Sequence, residues 1–336
     1  MFTRRVGIDL GTTKTIVYSP RRGIVIHEPS VVALALDDQR VLAIGQAAKE
    51  MIGRTPENIV ASQPLRDGVI ADFRVTEAMI EMFLERVGGT SFRIFRPEVM
   101  VAVPAGITST ERRAVIEVAS RAGARRVYLV KQPVAAAIGA GLPIAESSGH
   151  MVLHMGGGVT EAAVVSLGGL VATASARVGG VRLDTAIAEY VRKRYGLAIG
   201  ERTAEEIKIA IGSALPTEED HPYEVRGRDV ATGLPKEVTI TAHKVTEAMQ
   251  EELENMTQTA RQVLQETPPE LAADIIDKGI VLTGGTALLR NMDKLIAKIT
   301  MVPCTVADDP QRCVIQGIGM ALENLPAYRR SLVVAR

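Results

Sequence analysis

Three short turns hold the residues of this chain best suited to chemistry: Gly11-Thr12-Thr13, Gly156-Gly157-Gly158 and Gly284-Gly285-Thr286. Each follows an apolar run, so each is expected at the end of a strand. Without Cβ atoms, successive backbone N–H groups can turn outward and close on a phosphate, and threonine hydroxyls add donors for its oxygens. The first two turns have apolar runs on both sides and read as strand–turn–strand hairpins. The third runs into a helical pattern and suits close backbone approach to a nucleoside. Asp9 ends the first apolar run, where a carboxylate can hold a water of a phosphate-bound magnesium ion. One such turn is ordinarily a plain hairpin. Two matching hairpins half a chain apart point to a duplicated domain that grips one phosphate chain from two sides.

The elements that must position these turns follow from the hydrophobic pattern. Residues 6–10, 15–19, 23–27 and 31–36 read as strands joined by tight Gly, Pro and Arg turns, and the interval 46–74 as a polar insertion. Residues 98–103 form a buried strand. A capping box, Thr108 to Glu111, then opens a helix that stops at Gly123. Another strand, 127–130, precedes Pro133 and a small-residue helix, so the order is that of a parallel crossover. The second half repeats the plan: strands around the glycine run, a third at 170–178, and a helix after Gly179-Gly180. A second capping box is expected from Thr203 to Glu206, and turns at Gly227 and Thr232-Gly233 within a polar, strand-like insertion. An amphipathic helix carries Val245, Met249, Leu253, Met256, Ala260 and Val263 inward. A helix is expected over 288–299 and another over 310–322.

The 336 residues suit two domains, and 46% hydrophobic content suffices for sizeable cores. With 39 basic and 39 acidic residues the formal charge is zero, which argues against nucleic acid as a partner. The two cysteines, Cys304 and Cys313, form no metal-like cluster, and the first residues carry no leader pattern, so a reduced cytoplasmic setting is expected. The longest apolar run, residues 134–145, contains Pro143 and falls short of the ~20 residues a bilayer span needs.

The order of these motifs resembles the superfamily of actin, heat-shock chaperones and sugar kinases. More narrowly, the whole chain resembles the MreB family of bacterial actins. The resemblance rests on Gly7-Ile8-Asp9-Leu10-Gly11-Thr12, Glu28-Pro29-Ser30-Val31, Arg66-Asp67-Gly68-Val69-Ile70-Ala71-Asp72-Phe73, Glu111-Arg112-Arg113-Ala114, Pro133-Val134-Ala135-Ala136-Ala137-Ile138-Gly139, Pro268-Pro269-Glu270-Leu271 and Leu282-Thr283-Gly284-Gly285. It implies an α/β, actin-like fold of two duplicated RNase H-like domains with a nucleotide cleft between them. Domain I would span 1–143 and 310–336 with an insertion near 33–75, and domain II 144–309 with an insertion near 181–243. Further implications are ATP or GTP with magnesium, self-assembly into filaments, and a position on the inner face of the cell membrane among cell-shape and wall-synthesis membrane proteins. Residue by residue, the first phosphate loop falls on Asp9, Gly11, Thr12, Thr13 and Lys14, and the second on Gly156, Gly157, Gly158, Val159 and Thr160. Nucleoside contacts fall on Glu205, Glu206, Ile207, Lys208, Gly284, Gly285, Thr286 and Ala287. Gly180 and Asp184 match a turn facing the cleft, Asp9 the magnesium water shell, and Gln132 and Thr160 the catalytic positions.

The chain departs from that family pattern where charge matters. His154 stands in place of an aspartate, Lys131 and Gln132 in place of two glutamates, Val181 in place of an aspartate, and Lys14 in place of an asparagine. A neutral imidazole does not supply a carboxylate's charge to magnesium, and glutamine orients water without acting as a strong base. If these positions border the phosphates, the site binds nucleotide with less help from magnesium and hydrolyses it slowly or not at all. If they lie outside that shell, the changes carry no consequence.

The stretch Ser91-Phe92-Arg93-Ile94-Phe95-Arg96 interleaves arginines with apolar residues. It reads equally as an edge strand or as a surface anchor, with Phe92, Ile94 and Phe95 entering the acyl boundary and arginines at the headgroups. The family resemblance favours the anchor. Other functional classes are a sugar- or acetate-type kinase, for which no aspartate base with a sugar-binding insertion is found, and a non-hydrolysing paralogue of an active filament protein.

Overall fold

The computed structural model describes residues 5–20, 22–89 and 96–334. The opening apolar run forms β1 (Arg5–Leu10), which the Gly11 turn returns as β2 (Lys14–Ser19) and then β3 (Gly23–Pro29), an antiparallel meander. The next apolar run does not join this sheet. β4 (Val32–Ala35) pairs instead with β5 (Val41–Ile44) and, beyond α1 (Gln46–Met51), with β6 (Ile59–Ser62) in a separate three-stranded sheet. Ser30 accounts for the break: its N–H donates to the Thr13 carbonyl at 3.0 Å and its hydroxyl to the Gly11 carbonyl at 2.7 Å, which turns the chain away after Pro29. The two-residue strands β7 (Leu65–Arg66) and β8 (Val69–Ile70) lead into α2 (Phe73–Gly88), capped by the Asp72 carboxylate. Of the arginine–phenylalanine stretch, residues 91–95, with Phe92, Ile94 and Phe95, lie outside the described residues.

β9 (Glu98–Val103) is buried along its whole length and runs parallel to β1. The capping box at Thr108 and Glu111 forms as the sequence predicts and starts α3 (Ser109–Arg121). Parallel β10 (Arg126–Lys131) and the small-residue helix α4 (Gln132–Gly139), with proline in its first turn, complete the crossover.

The second half repeats the plan with β11 (His150–Met155), β12 (Thr160–Ser166) and β13 (Gly169–Ala176), followed by α5 (Gly180–Tyr195), β14 (Leu197–Ala198) and α6 (Glu201–Ile211). α6 begins after Gly200, so Thr203 lies inside the helix and Glu206 pairs with Arg202 at 2.9 Å; no capping box forms there. The hairpin β15 (Pro222–Asp229) and β16 (Pro235–Thr241) turns near Thr232-Gly233, but Gly227 sits within β15. A Cβ at Gly227 would lie 2.5 Å from the Ala198 carbonyl, so that glycine serves a close strand approach and not a turn. α7 (Ala242–Glu266) buries the six expected apolar residues, and α8 (Pro269–Lys278) and β17 (Ile280–Thr283) follow. The helix expected over 288–299 is divided. A 3-10 turn at Gly285–Leu288 precedes α9 (Met292–Thr300), with Asn291 left-handed (φ 58°) between them. β18 (Cys304–Val306), α10 (Cys313–Glu323) and β19 (Leu332–Val334) end the described chain.

The two main sheets share one order. In the first, β3-β2-β1-β9-β10 is extended by β19; in the second, β13-β12-β11-β17-β18 repeats the meander-plus-parallel pattern. Outer helices cover each sheet: α2 and α3 the first, α7, α8 and α9 the second, with α5 and α6 packed on α7. α4 and α10 lie between the sheets, where Val134, Ala135, Ile138, Val314, Ile315 and Ile318 share one core with β2, β9, β10, β11 and β12. Their crossing is backbone against backbone: a Cβ at Gly139 would lie 1.7 Å from the Cys313 carbonyl oxygen, and one at Gly317 would lie 1.9 Å from that of Ala135. No helix among the described residues is long and apolar enough to cross a membrane.

Gly317→Ala adds one methyl where no side-chain motion relieves it. The variant is expected to lose about 1–3 kcal/mol of unfolding free energy, as overpacked cores do, read from urea unfolding beside the wild type. An unshifted midpoint would show that the helices are free to separate.

Candidate functional site

The glycine-rich turns meet at one end of the α4–α10 core, around a cleft of about 380 Å³. The β1–β2 turn brings Asp9, Gly11, Thr12, Thr13 and Lys14 to one wall. The β11–β12 turn faces it with His154, Gly156, Gly157, Gly158 and Val159. The two turns interlock: a Cβ at Gly157 would lie 2.4 Å from Thr13, and one at Gly158 would lie 2.3 Å from the Thr12 hydroxyl, which itself accepts from the Gly68 N–H at 3.0 Å. Gln132, in the first turn of α4, forms the floor beside Asp9.

The remaining walls come from α5, α6 and the turn after β17. The first amides of α5 donate to the glycine run, Gly180 N–H to Gly156 at 3.0 Å and Val181 N–H to Gly157 at 2.9 Å. The Thr286 hydroxyl donates to the Gly156 carbonyl at 2.9 Å, which ties the third turn to the second. Asp184 of α5 and Lys208 of α6 pair at 2.7 Å, and Lys208 also donates to the Gly180 carbonyl at 2.9 Å. Glu205 pairs across the mouth with Lys49 of α1 at 2.9 Å. Each wall is therefore bonded to the next.

Several expected residues turn away from the cleft. Thr160 is fully buried, and its hydroxyl donates to the Val178 carbonyl at 2.8 Å. Ile207 and Ala287 belong to the core of the second half, and Glu206 is exposed with Arg202. The reason is helical period. A contiguous Glu205–Lys208 window spans a full turn, whereas the face that reaches the cleft is Glu205, Lys208, Ile209 and Gly212. The rest of the expected set, including Gly180, Asp184, Gly284, Gly285 and Thr286, lines the cleft. Ile16, Gly68, Ile209, Gly212, Leu288, Leu289, Arg290 and Gln311 join it without having been expected. Ile209 and Leu288, 70% and 55% exposed, are apolar surfaces open to the cleft. Spacing of three and four along α6 from Glu205 and Lys208 would have found Ile209 and Gly212; no comparable signal marks Arg290 or Gln311.

Burial dominates the electrostatics. Asp9 opens only onto the cleft, and desolvation pushes its carboxyl up to about 7 against the hydrogen bond from Gln132. Asp184 is raised to about 6 by burial, with Lys208 pulling the other way. Glu161, cross-strand partner of His154, is raised to about 7 by burial and held by the Ala105 N–H at 2.5 Å. Burial lowers His154 to about 4, so its imidazole is neutral, with Nδ1 against the Thr283 hydroxyl at 3.1 Å. Lys131, at the end of β10, does not line the cleft; its charge lies near Glu161. Among the described residues no group of three or more His, Cys, Asp or Glu could hold a metal. Beside the two hairpin turns, the Asp9 carboxyl, the Gln132 amide and the neutral His154 imidazole are a poor donor set for magnesium, which favours charged oxygens.

Two sheets of matching order, joined by a shared helix pair below a cleft between their hairpin turns, define the actin-like fold. The chain belongs to the MreB/Mbl protein family, whose sequence model matches residues 3–330. It is 51% identical to the cell shape-determining protein MreB of Escherichia coli K12 over 332 residues, 98% of this chain and 96% of that protein. It is 46% identical to the cell shape-determining protein Mbl of Bacillus cereus over 325 residues, 97% of each. In three dimensions it is similar to MreB5 of Spiroplasma citri bound to AMPPNP, with a TM-score of 0.91 and 34% identity, covering 97% of this chain and 98% of that one.

The buried histidine gives the protein an acid-sensitive site. Its folded value, about 4, lies below the ordinary 6.5, so the unfolded chain takes up the proton first and stability is lost as pH falls from about 6.5 toward 4. Asp9 and Glu161 work in the opposite sense, since their contribution is complete below the ordinary carboxyl values and lost as pH rises through about 7. His154→Gln should therefore be less destabilised than the wild type on going from pH 7 to 4.5, by about 2 kcal/mol. Urea unfolding at the two pH values checks this; equal losses in both proteins would show that the imidazole already titrates normally.

Proposed function

We propose that the protein is a nucleotide-binding cytoskeletal protein that assembles with itself into filaments on the inner face of the cell membrane and helps determine rod shape by organising wall synthesis. The observation that carries this reading is the cradle itself: interlocked glycine–threonine turns from both halves of an MreB/Mbl-family chain. The E. coli and B. cereus relatives are cell shape-determining proteins, and the S. citri protein carries AMPPNP. In this reading the two halves are domain I, 1–143 with 310–336, and domain II, 144–309.

The phosphates of ATP or GTP lie between the two hairpin turns, where backbone N–H groups and the Thr12 and Thr13 hydroxyls meet them. The base lies against the apolar surfaces of Ile209 and Leu288, with the polar side of α6, at Glu205 and Lys208, toward the ribose. Hydrolysis needs a group that positions and deprotonates water. Gln132 orients water but accepts no proton at neutral pH, the Thr160 hydroxyl is committed to Val178, and His154 is bonded to Thr283. Loss of one positioning group lowers rate by on the order of 10²-fold, so turnover is slow and nucleotide acts by occupancy.

Electron microscopy with ATP is expected to show filaments, and single-turnover assays to show hydrolysis that rises when His154→Asp restores a carboxylate. Absence of polymers with every nucleotide would overturn the filament reading, and rapid turnover by the wild type the weakened-hydrolysis one. Membrane attachment is assigned to Phe92, Ile94 and Phe95. Co-sedimentation with anionic phospholipid vesicles should fall at least about tenfold in a Phe92→Ser, Phe95→Ser double variant, since each buried aromatic contributes on the order of 1–3 kcal/mol. Undiminished binding would remove these residues from that role.

A further inference from the structure

The cleft carries its own countercharge. Three basic residues line it, Lys14, Lys208 and Arg290. Lys208 is paired with Asp184 at 2.7 Å, and Arg290 donates to the Ala210 carbonyl at 2.6 Å. Lys14 differs from both. It opens β2 directly after the Gly11–Thr13 turn, and its Nζ donates to the neutral amide oxygen of Gln311 at 2.9 Å. No carboxylate pairs with it among the described residues. Glu205, whose charge reaches it, is taken by Lys49, and the other charges it feels, Lys49 and Arg312, repel it. An ammonium has three N–H donors, of which Gln311 takes one. The bond to Gln311 holds the side chain over the cleft without neutralising it.

Facing this cation, the acidic groups are already allocated: Asp184 to Lys208, Glu205 to Lys49, and Asp9 to the Gln132 amide. What remains at the phosphate end is a surplus of donors and positive charge, and few charged oxygens for a hard divalent cation.

Resting on the nucleotide reading above, we infer that Lys14, steered by Gln311, neutralises the phosphate chain in place of a divalent cation, so that the cleft takes its nucleoside polyphosphate as the free polyanion. A charge-assisted contact to a phosphate oxygen is worth about tenfold to a hundredfold in affinity. Lys14 is thus the residue that makes the bound nucleotide independent of metal. The same geometry separates binding from turnover, because occupancy then requires no ion that would also activate the leaving group.

The experiment is calorimetric titration of the full chain with ADP and with ATP, in excess magnesium and in excess EDTA. The wild type is expected to bind within about fivefold equally in both conditions. Lys14→Asn is expected to lose about tenfold or more in EDTA and to recover part of it with magnesium, while Lys14→Arg keeps most of the metal-free affinity. Adenosine, which has no phosphate, should bind wild type and Lys14→Asn alike, which guards against a merely misfolded variant. Tight wild-type binding in magnesium that collapses about a hundredfold in EDTA overturns the inference and leaves the nucleotide reading intact. Equal metal-free affinity of wild type and Lys14→Asn overturns it as well. No binding in either condition overturns the nucleotide reading itself.

Discussion

The cleft depends on the contact between α4 and α10. Each main sheet has one face covered by its own helices and would otherwise leave the other apolar. A single helix pair buries both inner faces at once. That geometry is available only if the two helices cross with carbonyls almost touching α-carbons, which Gly139 and Gly317 permit. Because α4 begins at Gln132, immediately after β10, the same contact fixes the floor of the cleft and the spacing between the β1–β2 and β11–β12 turns. Packed cores resist small displacements, so this spacing is set by van der Waals contact and not by the weaker polar bonds above it.

Those polar bonds have another role. Glu161 with Ala105, Arg177 with Glu111, and Lys49 with Glu205 all bridge the two halves. The Lys49–Glu205 pair is about a third exposed at each partner, 36% and 35%, and a pair so placed contributes at most about 1 kcal/mol. Glu161 is different, since it is wholly buried and its raised value means that ionisation is costly where it sits. The halves are joined firmly at the helix pair and lightly at the mouth. Such a gradient allows a ligand in the cleft to compete with the light contacts without disturbing the firm one.

The sequence was most legible where backbone chemistry leaves a compositional mark. Glycine turns between apolar runs, the Thr108–Glu111 box and the inward stripe of α7 each reflect one local rule, and the matching order of the halves followed from them. It was least legible where a distant contact overrode the local rule. Gly200 starts α6 ahead of a well-formed but unused capping pattern. In the site, the residues of the two hairpin turns all line the cleft, because a turn presents consecutive residues. Of Glu205, Glu206, Ile207 and Lys208 on α6, only Glu205 and Lys208 line it, because a helix presents every third or fourth residue. Gln311 and Arg290 arrive from elements whose local sequence says nothing about a cleft.

The arrangement of charge gives the cleft its chemical character. A site built to hydrolyse phosphate must keep a base or a metal where water attacks, and both need carboxylates that stay ionised and unpaired. Here Asp184 and Glu205 are committed to lysines on neighbouring elements, which makes them struts of the walls. Asp9 is held by a neutral amide in a desolvated corner, and the imidazole of His154 is kept uncharged by the same lack of water. The groups that remain free are donors: backbone amides, threonine hydroxyls and one ammonium. In the function proposed above, such donors would stabilise the negative charge of a bound phosphate chain whether or not it is reacting. Equal stabilisation of ground state and transition state would then retain a nucleotide without hastening its cleavage, which is the physical content of that proposal.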